Sequence, residues 1–167
     1  MKYVFPPLVV ALIAGPATAD LTARFYEGAP TDRFEIEYSG ACPLSDLQLE
    51  IDLGASAAGL ILDVTASGAG VSVYQPLKVV AGEALLDEVP IVQDGDTRIS
   101  LPVLRLGPGD KIAFTLDVDD TKGSGPTMIS GAEITGARIS MKSAYDKSMA
   151  TFDDTGTARL KVDGCNA

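Results

Sequence analysis

The sequence has 167 residues, without histidine or tryptophan, and 23 acidic against 13 basic side chains give a formal net charge of −10. This acidity argues against nucleic acids and anionic membrane surfaces as partners. The absence of histidine excludes Ser-His-Asp and Cys-His catalysis and removes the usual ligand of zinc, copper and non-haem iron. Cation sites built from oxygen ligands remain compatible with the composition.

The N-terminal segment has the pattern of a secretory signal peptide. Lys2 precedes an apolar run at residues 8–14 and the small-residue motif A-T-A at 17–19. The apolar run is too short to span a membrane. We therefore predict a signal peptide over residues 1–19, one domain over residues 20–167, and export to the periplasm or beyond without membrane insertion after cleavage.

Alternation of apolar and polar residues predicts strands along most of the remaining chain. In LQLEIDL, at 47–53, leucine and isoleucine fall on one face and Gln48, Glu50 and Asp52 on the other. Strands are predicted over residues 21–27, 33–39, 47–53, 60–65, 71–77, 97–101, 111–120, 134–141, 148–153 and 157–162. The segment 82–91 contains Pro90, which cannot donate to a β-ladder, so an edge strand or a loop is predicted there.

Turn signals separate the predicted strands at regular spacing. They combine glycine with aspartate, proline or serine, as in QDGDT and GPGD, and no segment has the apolar stripe of a helix. Many short strands with one buried and one solvated face predict an all-β fold, a single antiparallel β-sandwich of the immunoglobulin-like or jelly-roll-like kind. A closed barrel is the alternative.

The segment FTLDVDDTKGSGP, at 114–126, places Asp117, Asp119 and Asp120 at the end of a predicted strand. Calcium binds six to eight oxygen ligands, several of them carboxylates in loops. The spacing is not that of an EF-hand, because the sixth and twelfth positions from Asp117 are lysine and methionine. The other interpretation is that these aspartates form turns at the strand end.

Two further acidic pairs extend this hypothesis. Asp153 and Asp154 precede a TGT turn, and Asp94 and Asp96 flank a glycine. If the acidic loops met at one end of the sandwich, they would form a Ca²⁺ site. The candidate Ca²⁺ ligands are Asp117, Asp119, Asp120, Asp153 and Asp154, and Ca²⁺ is the only cofactor that the sequence indicates.

Carboxylate pairs also allow an enzymatic interpretation. Glu35 and Glu37 alternate on one strand face, and Glu133 follows the acidic loop. Glycoside hydrolysis uses two carboxyl groups, but aromatic subsites and a catalytic motif are not recognisable. We therefore predict no catalytic residues and a protein that is not an enzyme, with a carboxylate-dependent hydrolase of an extracellular polymer as the alternative. In ISGAEITGARISM, at 129–141, glycines flank Glu133, and a strand with bulges or a close backbone approach is predicted.

The two cysteines fit an exported protein. Cys42 lies early in the chain and Cys165 near its end, and an even number of cysteines in an exported chain predicts a disulfide. Closing so long a loop would stabilise the fold by about 4–5 kcal/mol in the chain-entropy description. There is no C-x-x-C redox motif, which favours a structural bond.

A family resemblance runs through the segments DLTARFYEGAPTDRFEI, FTLDVDDT and ISGAEITGARISM and the late cysteine. The chain resembles small secreted proteobacterial proteins of the aggregation-factor-core-like family over nearly all of residues 20–167. The resemblance implies an extracytoplasmic β-sandwich with an adhesion or binding role, and it supplies no catalytic or ligand residues. The long repeat arrays of an aggregation factor are missing, so adhesion through multivalency requires oligomerisation.

Together these observations predict a secreted, non-enzymatic β-sandwich that binds an extracellular or envelope ligand through its loops and one sheet face. Ca²⁺ bound at the acidic loops is the candidate cofactor for this binding. A structural component of an envelope assembly is a further alternative. The sequence leaves the ligand, the oligomeric state and the choice between periplasm and extracellular space open.

Overall fold

The structure is a computed structural model that describes residues 19–65, 74–122 and 129–162. The first strand begins at Ala19, the residue before the predicted cleavage bond. Residues 1–18 of the predicted signal peptide lie outside the described residues, and so does Cys165. Export and the disulfide therefore stay predictions. No helix in the described ranges is long and apolar enough to cross a membrane.

The described residues form mostly short strands. These are β1 Ala19–Tyr26, β2 Asp32–Tyr38, β3 Leu44–Asp52, β4 Ile61–Leu62, β5 Lys78–Ala81, β6 Arg98–Leu106, β7 Lys111–Leu116, β8 Val118–Asp119, β9 Arg138–Lys142, β10 Lys147–Thr151 and β11 Thr157–Val162. A 3-10 turn, Glu83–Leu85, follows β5, and the short helix α1, Gly131–Ile134, precedes β9.

The strands form three antiparallel sheets. Sheet A has the order β11-β1-β2-β7-β5, sheet B has the order β10-β9-β3-β6, and β4 pairs with β8 in a two-stranded sheet. The sheets are open rather than closed. The predicted all-β, antiparallel, sandwich-like fold is thus confirmed, and the closed-barrel alternative is wrong.

The inner faces of sheets A and B contribute to one hydrophobic core. Phe34 of β2 lies 5.4 Å from Phe114 of β7 and 5.1 Å from Phe25 of β1, measured between ring centroids. Ile51 and Ile139 face the same core from sheet B and are fully buried. Burial of each such side chain stabilises the fold by about 1.5–3 kcal/mol, so the alternating pattern fixes which face of each strand is inside.

The strand predicted over residues 134–141 is wrong at its beginning, although the close backbone approach predicted at its glycines is present, since a Cβ on Gly136 would lie 2.6 Å from the Ala55 carbonyl oxygen. Residues Gly131–Ile134 form α1, and β9 begins only at Arg138. The cause is a capping box, in which the Ser130 backbone N–H and hydroxyl both donate to the Glu133 carboxylate at 2.7 Å. This Ser-x-x-Glu pattern is visible in the sequence and is the signal for the helix.

Other predicted strands differ in extent. The strand predicted over 60–65 is limited to Ile61–Leu62, and the backbone N–H groups of Val64 and Thr65 bind the Asp94 carboxylate instead of a strand. Residues 74–77 of the strand predicted over 71–77 are not in a strand, and residues 71–73 lie outside the described residues. The following β5 was not predicted, and its register against β7 shifts at a bulge.

Candidate functional site

Four aspartates, here called the aspartate cluster, surround the point where β7 passes into β8. They are Asp32, Asp63, Asp117 and Asp119. Asp32 begins β2 directly opposite the last residue of β7, and Asp119 of β8 pairs with Ile61 of β4. Asp63 follows β4, and its backbone N–H donates to the carbonyl of Asp117 at 3.1 Å. The sheet register therefore collects carboxyl groups that are far apart in sequence.

Asp32 is buried, with 2% of its surface exposed. Its carboxylate accepts the backbone N–H of Gly28 at 3.1 Å and that of Val118 at 3.2 Å. Burial raises the pKa of Asp32 to about 7; the two N–H donors oppose this rise, while the charges of Asp117 and Glu27 add to it. The Asp32 carboxyl group therefore changes its protonation state near neutral pH.

The alternation in residues 111–120 predicts that Asp117 projects from the solvent face, but the structure shows this side chain half-buried. Burial raises its pKa to about 6, and the negative charges of Asp63 and Asp119 add to this rise. Asp63 itself is 1% exposed. The two-stranded sheet of β4 and β8 accounts for the difference, because it brings Asp63 beside Asp117. Asp32 and Asp63 were missed as site residues because no local signal marks their burial.

The acidic loop of Asp94 and Asp96 lies next to the aspartate cluster. The Asp94 carboxylate accepts the backbone N–H of Val64 at 2.7 Å and that of Thr65 at 2.8 Å, as well as the Thr65 hydroxyl. The Thr65 hydroxyl is the main reason that the pKa of Asp94 is lowered. Asp96 accepts the Gln93 N–H at 2.8 Å. The Asp94 carboxylate thus ties its loop to the segment after β4, and the Asp96 carboxylate closes its own turn.

The Asp153–Asp154 pair belongs to the turn before β11. The Asp153 carboxylate accepts the Thr155 hydroxyl at 2.6 Å and the backbone N–H groups of Thr155 and Thr157 at 2.9 and 3.1 Å. These donors, led by the Thr155 hydroxyl, lower the pKa of Asp153, and Arg159 adds to the effect. The carboxylate thus closes its own turn.

The structure does not bring the five candidate Ca²⁺ ligands to one point. β1 and β2 lie between β11 and β7, which separates the strands next to Asp153 and Asp117 by about 14 Å. Asp119 accepts the backbone N–H of Asp120 at 2.8 Å. Within the described ranges, no group of three or more histidine, cysteine, aspartate or glutamate side chains is placed to hold a metal ion. Calcium binding stays a prediction.

The glutamates of the enzymatic interpretation have structural partners. Glu35 contacts Lys111 at 2.9 Å and Arg33 at 3.0 Å, and the hydrogen bond from Lys111 is the largest cause of its lowered pKa. Glu37 pairs with Arg24 at 3.1 Å, and Glu133 closes the capping box of α1. A general acid at neutral pH needs a raised pKa, so Glu35 is unsuited to that role.

The cations and the aspartates are distributed differently among the described elements. Nearly all lysines and arginines of the described residues lie on strands, whereas most aspartates lie in the connecting segments at the strand ends. The cations on the outer face of sheet A are Arg24, Arg33, Lys78, Lys111, Arg159 and Lys161; those of sheet B include Arg98, Arg138, Lys142 and Lys147. Glu35 and Glu37 share the outer face of sheet A, and Glu50 and Asp52 that of sheet B, so cations outnumber carboxylates on these strands although the total charge is negative.

Comparisons of the chain with family models, with curated proteins and with solved structures find no match. The resemblance to aggregation-factor-core-like proteins therefore stays an expectation. The predicted Cys42–Cys165 bond also stays a prediction, although Tyr38 ties the Cys42 loop to β2 by donating its hydroxyl to the Cys42 carbonyl at 2.7 Å.

Proposed function

We propose that the protein is an exported, non-enzymatic binding module that recognises its ligand with a sheet face, while the aspartate cluster holds the fold. The uneven distribution of charge carries this proposal. Lysines and arginines lie along the strands of both sheets, where they outnumber the carboxylates, and most aspartates lie in the connecting segments. A flat face with fixed side chains offers repeated contacts to an extended ligand at little cost in conformational entropy.

The aspartate cluster is a poor binding surface by comparison. Asp32 and Asp63 are almost fully buried, and both oxygens of Asp32 accept backbone N–H groups. A ligand that bound Asp32 would have to displace the Gly28 N–H of the β1–β2 loop. The hydrogen bonds support a structural role that joins this loop to β8.

The test is a binding assay that also records cleavage. Protein comprising residues 20–167 would be titrated with soluble neutral and anionic polysaccharides while released reducing ends are measured in the same samples. Saturable binding without new reducing ends supports the proposal. Release of reducing ends that disappears in Asp117→Asn would contradict it.

A hydrolase of an extracellular polymer is the second candidate, and the raised pKa of Asp117 favours it. A half-buried carboxyl group with a pKa of about 6 is suited to acid–base catalysis near neutral pH. Such an enzyme would lose activity in Asp117→Asn and keep its binding. A binding module would keep its affinity in that variant and have no activity to lose.

A further inference from the structure

We infer that the outer face of the β9–β10 hairpin is a docking site for an anionic polysaccharide. This inference rests on the proposed function and names its surface and its ligand class. The outward-facing residues of the hairpin are Arg138, Ser140, Lys142, Lys147, Met149 and Thr151.

Two lysines of this face stand directly opposite each other. Lys142 of β9 is the register partner of Lys147 of β10, and both are exposed. Like charges at such positions destabilise a sheet. Within the described ranges neither ammonium group forms an ion pair with a carboxylate, and the β3 neighbour of Lys142 is the neutral Gln48. An anion between the two ammonium groups would remove this repulsion.

Several other cations on the sheet faces are neutralised locally. On sheet A, Glu35 and Glu37 bind arginine and lysine side chains at about 3 Å. On sheet B, Arg98 pairs with Asp52 at 3.3 Å. The lysine pair of the hairpin differs from these sites because neither lysine forms an ion pair with a carboxylate of the described residues, although Asp146 precedes Lys147 in the chain. Arg138 lies four residues from Lys142 on the same face, about 13 Å along the strand, and its β3 register partner is Asp52, which Arg98 binds.

The tip of the hairpin adds an aromatic side chain. The Ser143 hydroxyl accepts the backbone N–H of Tyr145 at 3.2 Å and that of Asp146 at 2.9 Å, which closes the turn. Tyr145 is left 95% exposed, and Met149 on the hairpin face is 61% exposed. An exposed ring on an ordered turn offers an apolar surface and a hydroxyl for packing against a sugar ring.

The charge distribution favours a thin, linear polyanion over a membrane or a nucleic acid. Attraction to anionic lipid typically uses clusters of about 4–8 basic residues, and nucleic-acid binding commonly involves about 6–10 phosphate contacts. The hairpin face offers three cations in a protein of net charge −10. A broad anionic surface would also approach the acidic strand ends, whereas a single polysaccharide chain can follow the hairpin alone.

The test compares two double variants with equal changes of charge. Polygalacturonate is titrated calorimetrically at low salt into residues 20–167 carrying Lys142→Gln and Lys147→Gln, or carrying Lys78→Gln and Arg159→Gln on sheet A. We expect the hairpin variant to lose about tenfold in affinity, and the sheet A variant less than about twofold. Tyr145→Ala should weaken binding by about threefold without changing its salt dependence.

The measurements distinguish loss of the docking site from misfolding and from a general effect of removing positive charge. Loss of the lysine repulsion should leave the melting temperature of the hairpin variant unchanged or slightly higher, so weaker binding would not reflect unfolding.

Equal losses of affinity in the two double variants would overturn the inference, as would tighter binding to phosphatidylglycerol vesicles or to single-stranded DNA than to polygalacturonate. Polysaccharide binding that survives in the hairpin variant would leave the proposed function standing and remove the hairpin from it. Absence of binding to every polysaccharide would remove both.

Discussion

The aspartate cluster and the Asp153 turn contain the same side chain in opposite electrostatic settings. Burial beside other carboxyl groups raises the pKa of Asp32 to about 7 and that of Asp117 to about 6. Asp153 is exposed and accepts three hydrogen bonds from its own turn, which lower its pKa. Burial and the supply of donors therefore decide what an aspartate contributes, and acidic spacing in the sequence does not.

The largest expected effect is a loss of stability as pH rises. Because the folded-state pKa of Asp32 is raised, the folded protein binds this proton more tightly than the unfolded chain does. This proton contributes up to about 4 kcal/mol to the free energy of unfolding. The contribution is fully present below about pH 4 and is lost as pH rises through about 7. Chemical denaturation between pH 5 and 8 should show the decline, because the carboxyl groups with lowered pKa are ionised throughout this interval. A free energy of unfolding that rises from pH 5 to 8 would contradict it.

Asp32→Asn assigns this pH dependence to one residue. The amide does not ionise, although its NH₂ group cannot accept the N–H that one oxygen of Asp32 accepts. We expect the decline in the free energy of unfolding between pH 5 and 8 to shrink by more than half. Relative to the parent protein, the variant should therefore be less destabilised at pH 8 than at pH 5. Asp87→Asn, on an exposed residue outside the cluster, is the control and should leave the decline unchanged. If both variants kept the full decline, its origin would lie elsewhere.

Substitution of Asp153 should change the free energy of unfolding by less. Its contribution should also depend on pH in the opposite direction to that of Asp32. Asp153→Ala removes three hydrogen bonds at an exposed turn and should cost about 1–2 kcal/mol at pH 7. Asp154→Ala is the matched control in the same turn and should change stability by less than about 0.5 kcal/mol. Since the folded pKa of Asp153 is lowered, the difference between the two variants should fade below about pH 4. Equal costs at pH 7 would refute the role of Asp153.

Substitutions of Glu133 test whether this carboxylate near the acidic loop stabilises the fold. Glu133→Ala opens the capping box of α1 and should cost about 1 kcal/mol, while Glu133→Gln retains an acceptor and should cost less than half of that. Urea unfolding of both variants measures the difference. A full loss in Glu133→Gln would mean that the charge, rather than the cap, is required.

Calcium should have the smallest effect. Of the candidate ligands, Asp153 already accepts three hydrogen bonds in its own turn, and β1 and β2 separate the strand next to it from the strand next to Asp117, so the predicted ligands would have to rearrange to share a cation. We expect the melting temperature in millimolar calcium and in chelator to agree within about 1 °C. A native-state ligand at a hundredfold excess over its dissociation constant adds about 2.7 kcal/mol, so a rise of several degrees would restore the predicted Ca²⁺ site.

Periodicity predicted the elements that face the core. The alternation in β2, β3 and β11 is strong because one face of each strand packs against buried leucine, isoleucine and phenylalanine side chains. β4 and β8 lie within the strands predicted over 60–65 and 111–120, but each is only two residues long and its pairing with the other could not be predicted from periodicity. For α1 the Ser130-x-x-Glu133 signal was present, but the flanking glycines favoured a bulge.

The candidate site was less predictable than the fold. Asp117 and Asp119 were found from their crowding, yet Asp32 becomes their neighbour only through a hydrogen bond to Val118, 86 residues away. The lysine pair of the hairpin also needs the register of β9 and β10, since Lys142 and Lys147 are unremarkable in sequence. Long-range pairing decides both features, and composition alone indicated an acidic protein without a cationic face.

The most direct test of the account is the map of backbone amide shifts when ¹⁵N-labelled protein, residues 20–167, is titrated with oligogalacturonate. We predict that the largest shifts fall on β9, β10 and the Tyr145 turn, while Gly28 and Val118 beside Asp32 stay unchanged. Shifts centred on Gly28, Val118 and Asp117 would place the ligand at the aspartate cluster. That result would contradict recognition by a sheet face and favour the hydrolase.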